Sequence, residues 1–197
     1  MENYQEQYNQ ELHQQEIRSN LQTLKGFFWI FATVLVIWVL TLLRIFIVDA
    51  GIFTMAVGIS AVIGIPIVYI YKKVDLSKQW VKYVFLTLIC MISAIFATFL
   101  SFHAVLIYVP PLLLAVQYRQ KRSLWITYFV NNITMTISML AGFYHGICDL
   151  NLLLGSNHTR SWYLEQWSAG ALQFDFEPDP VFVILFYGAL PRAVILL

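Results

Sequence analysis

Charge is the scarcest thing in this sequence. Asp, Glu, Lys and Arg make up 12% of 197 residues, about half the share a soluble domain carries, while 59% of the residues are hydrophobic and 16% aromatic. With a mean hydropathy of +0.69, the chain lacks the polar surface that water requires. The 12 Lys and Arg are nearly matched by 11 Asp and Glu, so the basic excess of a nucleic-acid-binding protein is missing and no such partner is expected. Cysteine is scarce too: Cys90 and Cys148 lie in separate hydrophobic stretches and form no CxxC or Cys/His cluster, which excludes a disulfide framework and a zinc site. HExxH, GxSxG, a glycine-rich phosphate loop and the paired carboxylates of an intramembrane protease are all absent. The polar connections are also too short to hold a catalytic domain. No enzyme activity, metal or cofactor is expected of this chain.

What the sequence has in abundance is long apolar runs. Hydrocarbon about 30 Å thick takes roughly 20 helical residues to cross, and six runs approach that length. They cover 27–48, 52–71, 83–101, 104–117, 124–145 and 181–197, with a polar loop over 148–180. The third and fourth come from one long run, divided at Ser101, Phe102 and His103 ahead of Pro110 and Pro111. The expected fold is an all-α integral membrane protein of about six transmembrane helices, one membrane domain over 27–197 preceded by a tail over 1–26. That tail is polar and the first run is too long for a cleaved signal, so the first helix is read as an anchor. Tyr4, Tyr8, Leu12, Ile17, Leu21 and Leu24 recur every three to five residues in the tail. This fits either an amphipathic helix entering the first span or a partly ordered soluble tail.

Cytoplasmic loops collect Lys and Arg. With the N-terminus inside, Arg18, Lys25, Lys72, Lys73, Lys78, Lys82, Arg119, Lys121 and Arg122 are cytoplasmic, and of the 12 only Arg44, Arg160 and Arg192 remain. Asp49, Asp149, Glu165, Asp175, Glu177 and Asp179 fall on the outer side. Six spans return the C-terminus to the cytoplasm. The last run stops without a basic flank, which reads as a chain truncated before a cytoplasmic continuation. The expected location is the cell membrane, multi-pass, with the lipid bilayer as its first partner.

Polar residues within a bilayer turn toward the bundle interior. With Asn131 as origin and about 100° per residue, Thr134, Ser138, Gly142, His145 and Asp149 fall within about 60° of it on the fifth span. The stripe reads as a seam of small residues for close helix packing or as an inward face ending in a binding site at His145 and Asp149. Arg192, after Pro191 in the last run, lies near mid-bilayer. It is expected to bond Asn131, Thr134 or a carbonyl freed by Pro191. Arg44 snorkels outward or pairs with Asp49 or Asp149. His103, His145 and His158 share the outer side with the carboxylates but match no metal spacing. The candidate ligand-binding set is His103, Asn131, Thr134, Ser138, His145, Asp149 and Arg192, for an unknown small ligand on the outer side. The loop aromatics Trp162, Tyr163, Trp167, Phe174 and Phe176 suit the headgroup layer or a lid over such a site.

Three stretches carry a resemblance. They are His103-Ala104-Val105-Leu106 through Pro110-Pro111-Leu112-Leu113-Leu114-Ala115 to Gln117-Tyr118-Arg119; Gly142-Phe143-Tyr144 through Cys148-Asp149-Leu150-Asn151; and Ala189-Leu190-Pro191-Arg192. Together they resemble the N-terminal multi-span sensor region of membrane-bound signalling proteins of Gram-positive anaerobes, mostly GGDEF-type diguanylate cyclases. The resemblance implies an input module whose output domain would follow the last span; a sensory module is separately expected to form a homodimer. No GGDEF sequence is present, so no cyclase activity is carried over. Two functions follow as expectations: a membrane-embedded sensory module of signal transduction, or the small six-helix substrate-binding subunit of a membrane transporter. A structural or assembly role is a third.

Overall fold

The computed structural model describes residues 2–45, 50–100, 106–144 and 184–197. Every regular element among them is helical: α1 (Glu2–Leu42), α2 (Ala50–Lys73), α3 (Gln79–Leu100), α4 (Val109–Val116), α5 (Lys121–Tyr144), a π-helical turn (Ile184–Ala189) and α6 (Leu190–Ile195). Four helices are long and apolar enough to cross a membrane, over Gln10–Leu42, Ala50–Lys73, Gln79–Phe99 and Lys121–Gly142. Their exteriors carry Trp29, Val36, Val62, Ile65, Phe129, Ile133 and Ile137, all exposed, a surface that hydrocarbon tolerates and water does not. The fold is therefore all-α, with membrane-like helices.

The tail and the first run form one continuous helix. At 1.5 Å per residue, the 41 residues of α1 reach about 60 Å, twice the hydrocarbon thickness. Its buried positions Ser19, Asn20, Thr23, Leu24, Phe27, Val34 and Thr41 fall mostly three, four or seven residues apart, one seam along the helix. The helix stops at Leu42, short of the expected 48, because the chain closes a Schellman turn. Ile45 N–H donates to Leu40 O and Arg44 N–H to Thr41 O, both at 3.0 Å, and Arg44 takes the left-handed φ of 59° that glycine usually supplies.

α3 is the central helix, packing against α5, α2, α1 and α4. Phe53 and Ile67 of α2, Phe85, Leu86 and Phe96 of α3, and Leu114 and Ala115 of α4 close the main core with α1. Gly26 lets α1 approach α4, since a Cβ there would sit 2.6 Å from Leu114 Cδ2. Pro66 lies inside α2, where it leaves a backbone carbonyl without its helical donor, a defect tolerated in membrane helices.

The fourth expected run, 104–117, is the one most changed. It forms a short 3₁₀ turn at 106–108 and the eight-residue α4. Leu106–Val116 spans about 16 Å, half the hydrocarbon. The paired Pro110 and Pro111 start an α-helix readily at its first positions but admit none through them. The last run, 181–197, is described from 184 and is divided into a π-helical turn and the six-residue α6, interrupted by Pro191. The hairpin tip at His103 and the loop 148–180 lie outside the described residues.

A polar cluster fixes the shared lower end of these helices. Lys82, 2% exposed at the start of α3, donates from Nζ to Glu16 Oε1 of α1 at 2.6 Å and to Gln120 Oε1 at 2.8 Å. Asn20 donates to Leu76 O at 2.7 Å and accepts from the Tyr118 hydroxyl at 2.7 Å. These bonds place the end of α2, the start of α3, the end of α4 and the start of α5 at one level, beside the tail of α1. Farther along α5, the Tyr128 hydroxyl donates to Ala193 O at 3.0 Å, and Met135 clusters with Ala189. The last segment thus runs antiparallel to α5.

Candidate functional site

The interior face read from the sequence of α5 is present, and its organiser is a residue outside the expected set. Asn131 is fully buried and Ser138 nearly so. Both meet Tyr108, in the 3₁₀ turn before α4: Asn131 Nδ2 donates to Tyr108 O at 3.0 Å, and the Tyr108 and Ser138 hydroxyls bond at 2.5 Å. Thr98 of α3 adds a bond to Ser138 O at 3.4 Å while also donating to Ala94 O. Thr134 turns to its own helix, donating to Asn131 O at 3.0 Å. Through Asn131 and Ser138 the stripe is thus a seam joining α3, α4 and α5. It leaves one feature over: Asn131 Oδ1 is buried with no hydrogen-bond partner among the described residues.

Arg192 bonds the backbone of its own segment, from Nη1 to Gly188 O at 3.0 Å, a carbonyl three residues before Pro191. This carbonyl is not the one that Pro191 deprives of its helical donor, which belongs to residue 187, four before the proline. The guanidinium is partly buried and within electrostatic reach of the Tyr108 phenol. Arg44 ends α1, and its expected partners Asp49 and Asp149 lie outside the described residues. So do His103 and His145, so the structure unites Asn131 and Ser138 with Tyr108 and leaves the outer part of the expected set undescribed.

A second polar face of α5 went unread. Tyr128, Asn132 and Thr136, four residues apart, face the π-helical turn and α6. A cavity of about 310 Å³ lies there, lined by Asn132, Thr136, Leu185, Phe186, Ala189, Leu190 and Ala193. Asn132 Nδ2 bonds back to Tyr128 O at 2.8 Å, while its Oδ1 is buried without a partner among the described residues. The spacing was visible in the sequence, but a Tyr, an Asn and a Thr among Phe and Ile attract less notice than a row of small residues. Chemically the cavity offers an apolar wall with one amide oxygen, that of Asn132, suited to a small, mainly apolar molecule with a single hydrogen-bond donor. Among the described residues no group of three or more His, Cys, Asp or Glu converges.

The fold and this site define an all-α protein with, among the described residues, four helices fit to cross a membrane and a polar seam inside it. No protein family, characterised protein or solved structure matches the chain.

Proposed function

We propose that the chain is a multi-pass cell-membrane sensory module with its tail and basic loops in the cytoplasm. In this reading a small ligand from the outer side alters how the last segment packs on α5. The observation that carries it is the π-helical turn Ile184–Ala189 seated over a cavity whose α5 wall holds a buried amide oxygen with no partner among the described residues. A π turn holds one residue more than an α turn, recurs at functional sites and has a ready alternative in rewinding to α-helix. A ligand that donates to Asn132 Oδ1 binds the two windings unequally, the condition for any ligand-driven shift. The clamp of Glu16, Lys82 and Gln120 then couples the base of α5 to the cytoplasmic part of α1.

The orientation is supported by the basic residues around this clamp, and an aromatic belt near them marks a membrane interface. Trp29, Tyr69, Tyr71, Trp80 and Trp125 are all exposed within a few residues of Lys25, Lys72, Lys73, Lys78 and Arg122, the placement favoured at a membrane interface. Six alternating segments, with α4 and the last one short, bring both termini to that side. In keeping with the resemblance to sensor regions, the receiver would be a cytoplasmic signalling domain.

The transporter-subunit reading draws on the same cavity. Purification from native membranes in mild detergent, followed by native mass spectrometry, separates the two. A sensory module runs as a homodimer without stoichiometric ligand; a tightly retained small molecule together with energising subunits overturns the sensory reading.

A further inference from the structure

A larger apolar groove of about 410 Å³ lies between α1 and α2, away from the polar seam. Phe27, Phe28 and Phe31 form one wall, and Ala61, Gly64, Ile65 and Val68 the other. Phe27 closes against Gly64 at its floor, where a Cβ would sit 3.2 Å from Phe27 Cζ. Its lining changes character at one end only, where Tyr69, Lys72 and Lys73 complete it. Both lysines are exposed and neither forms an ion pair among the described residues. Lys25 lies one helical turn before Phe28, on the same face of α1. The carboxylate nearest in sequence, Asp75, caps the following loop by accepting from Ser77 N–H at 2.9 Å.

A groove apolar along its length and cationic at its mouth matches one molecule, a lipid with an acyl chain and an anionic head. We infer that the α1–α2 groove is a binding site for a single anionic phospholipid. The chain lies along Phe28, Phe31, Ala61, Ile65 and Val68, and the phosphate rests on Lys72 and Lys73. A neutral lipid fills the same groove but forgoes the two cations, so the site discriminates by head charge. Its assignment to the cytoplasmic leaflet, the anionic one, rests on the orientation proposed above.

The test uses the full chain in nanodiscs of equal parts phosphatidylglycerol and phosphatidylcholine, with retained lipid identified by native mass spectrometry after detergent transfer. The wild type retains one phosphatidylglycerol in preference to phosphatidylcholine. Each lysine near an anionic head contributes about fivefold, so Lys72→Gln with Lys73→Gln reduces the preference about 25-fold. Ala61→Phe, an exposed position that fills the groove without entering the core, lowers retention of both lipids. An unselective wild type, or a double variant as selective as wild type, overturns the site, as does undiminished retention by Ala61→Phe. Nanodiscs expose both faces, so these results do not depend on orientation. Labelling of Lys73→Cys by an impermeant thiol reagent in intact cells tests that separately.

Discussion

Lys82 is the residue on which the lower end of the molecule depends. Its ammonium is buried between Glu16 and Gln120, contributed by segments 66 and 38 residues away in the chain. Removing one member of a buried pair strands the other charge, so Lys82→Met is expected to lower stability by about 3 kcal/mol or more, and adding Glu16→Leu to recover much of it, measured by thermal unfolding in detergent. Tyr118 belongs to the same cluster. Burial pushes its phenol above the ordinary value of 10.0, so it holds its proton more tightly folded than unfolded. The resulting stability is fully present below about pH 10 and is lost as pH rises toward the raised value. Melting temperature should therefore fall more steeply above pH 10 in wild type than in Tyr118→Phe; parallel profiles would remove Tyr118 as the cause. Arg44 occupies a left-handed conformation that costs a side-chain-bearing residue about 1 kcal/mol, so Arg44→Gly should raise stability by about that amount. None of these roles was legible in sequence. Lys82 read as one more loop cation, because periodicity within a segment carries no information about a partner 66 residues away.

At the scale of elements, Tyr108 bridges α4 to α5. Its bonds to Asn131 and Ser138 predict a coupling of about 0.6 kcal/mol, and no more than about 1.7, in a double-mutant cycle of Tyr108→Phe with Ser138→Ala. A zero coupling would reduce the seam to shape alone. Gly26→Ala sets a methyl against Leu114 and should cost about 1 kcal/mol by parting α1 from α4. The long helices were legible because an apolar run bounded by charge has one economical solution in a bilayer: α2, α3 and α5 begin and end within four residues of the expected limits. The elements that differ were decided by features that a hydropathy window averages away. α1 ends early through a backbone turn at Arg44, α4 is cut short by Pro110 and Pro111, and the last run is divided into a π-helical turn and α6. On α5 the face holding Asn131 and Ser138 stood out through its small residues, whereas Tyr128, Asn132 and Thr136 were hidden by their bulky neighbours.

At the scale of the whole fold, the tail and the two basic connections gather at one end, where the polar clamp joins them in three dimensions. The charge pattern of the sequence and the packing of the fold reach that arrangement independently, one from where lysines fall and the other from hydrogen bonds among distant segments. The sensory reading depends on this end facing the cytoplasm, where a signal would be delivered. The direct test places single cysteines at Glu11, Lys78 and Lys121, all exposed, in a chain whose Cys90 and Cys148 are replaced by serine, and treats intact cells with an impermeant maleimide. All three positions should remain unlabelled until the membrane is permeabilised and then react together; labelling of any of them in intact cells would contradict the account.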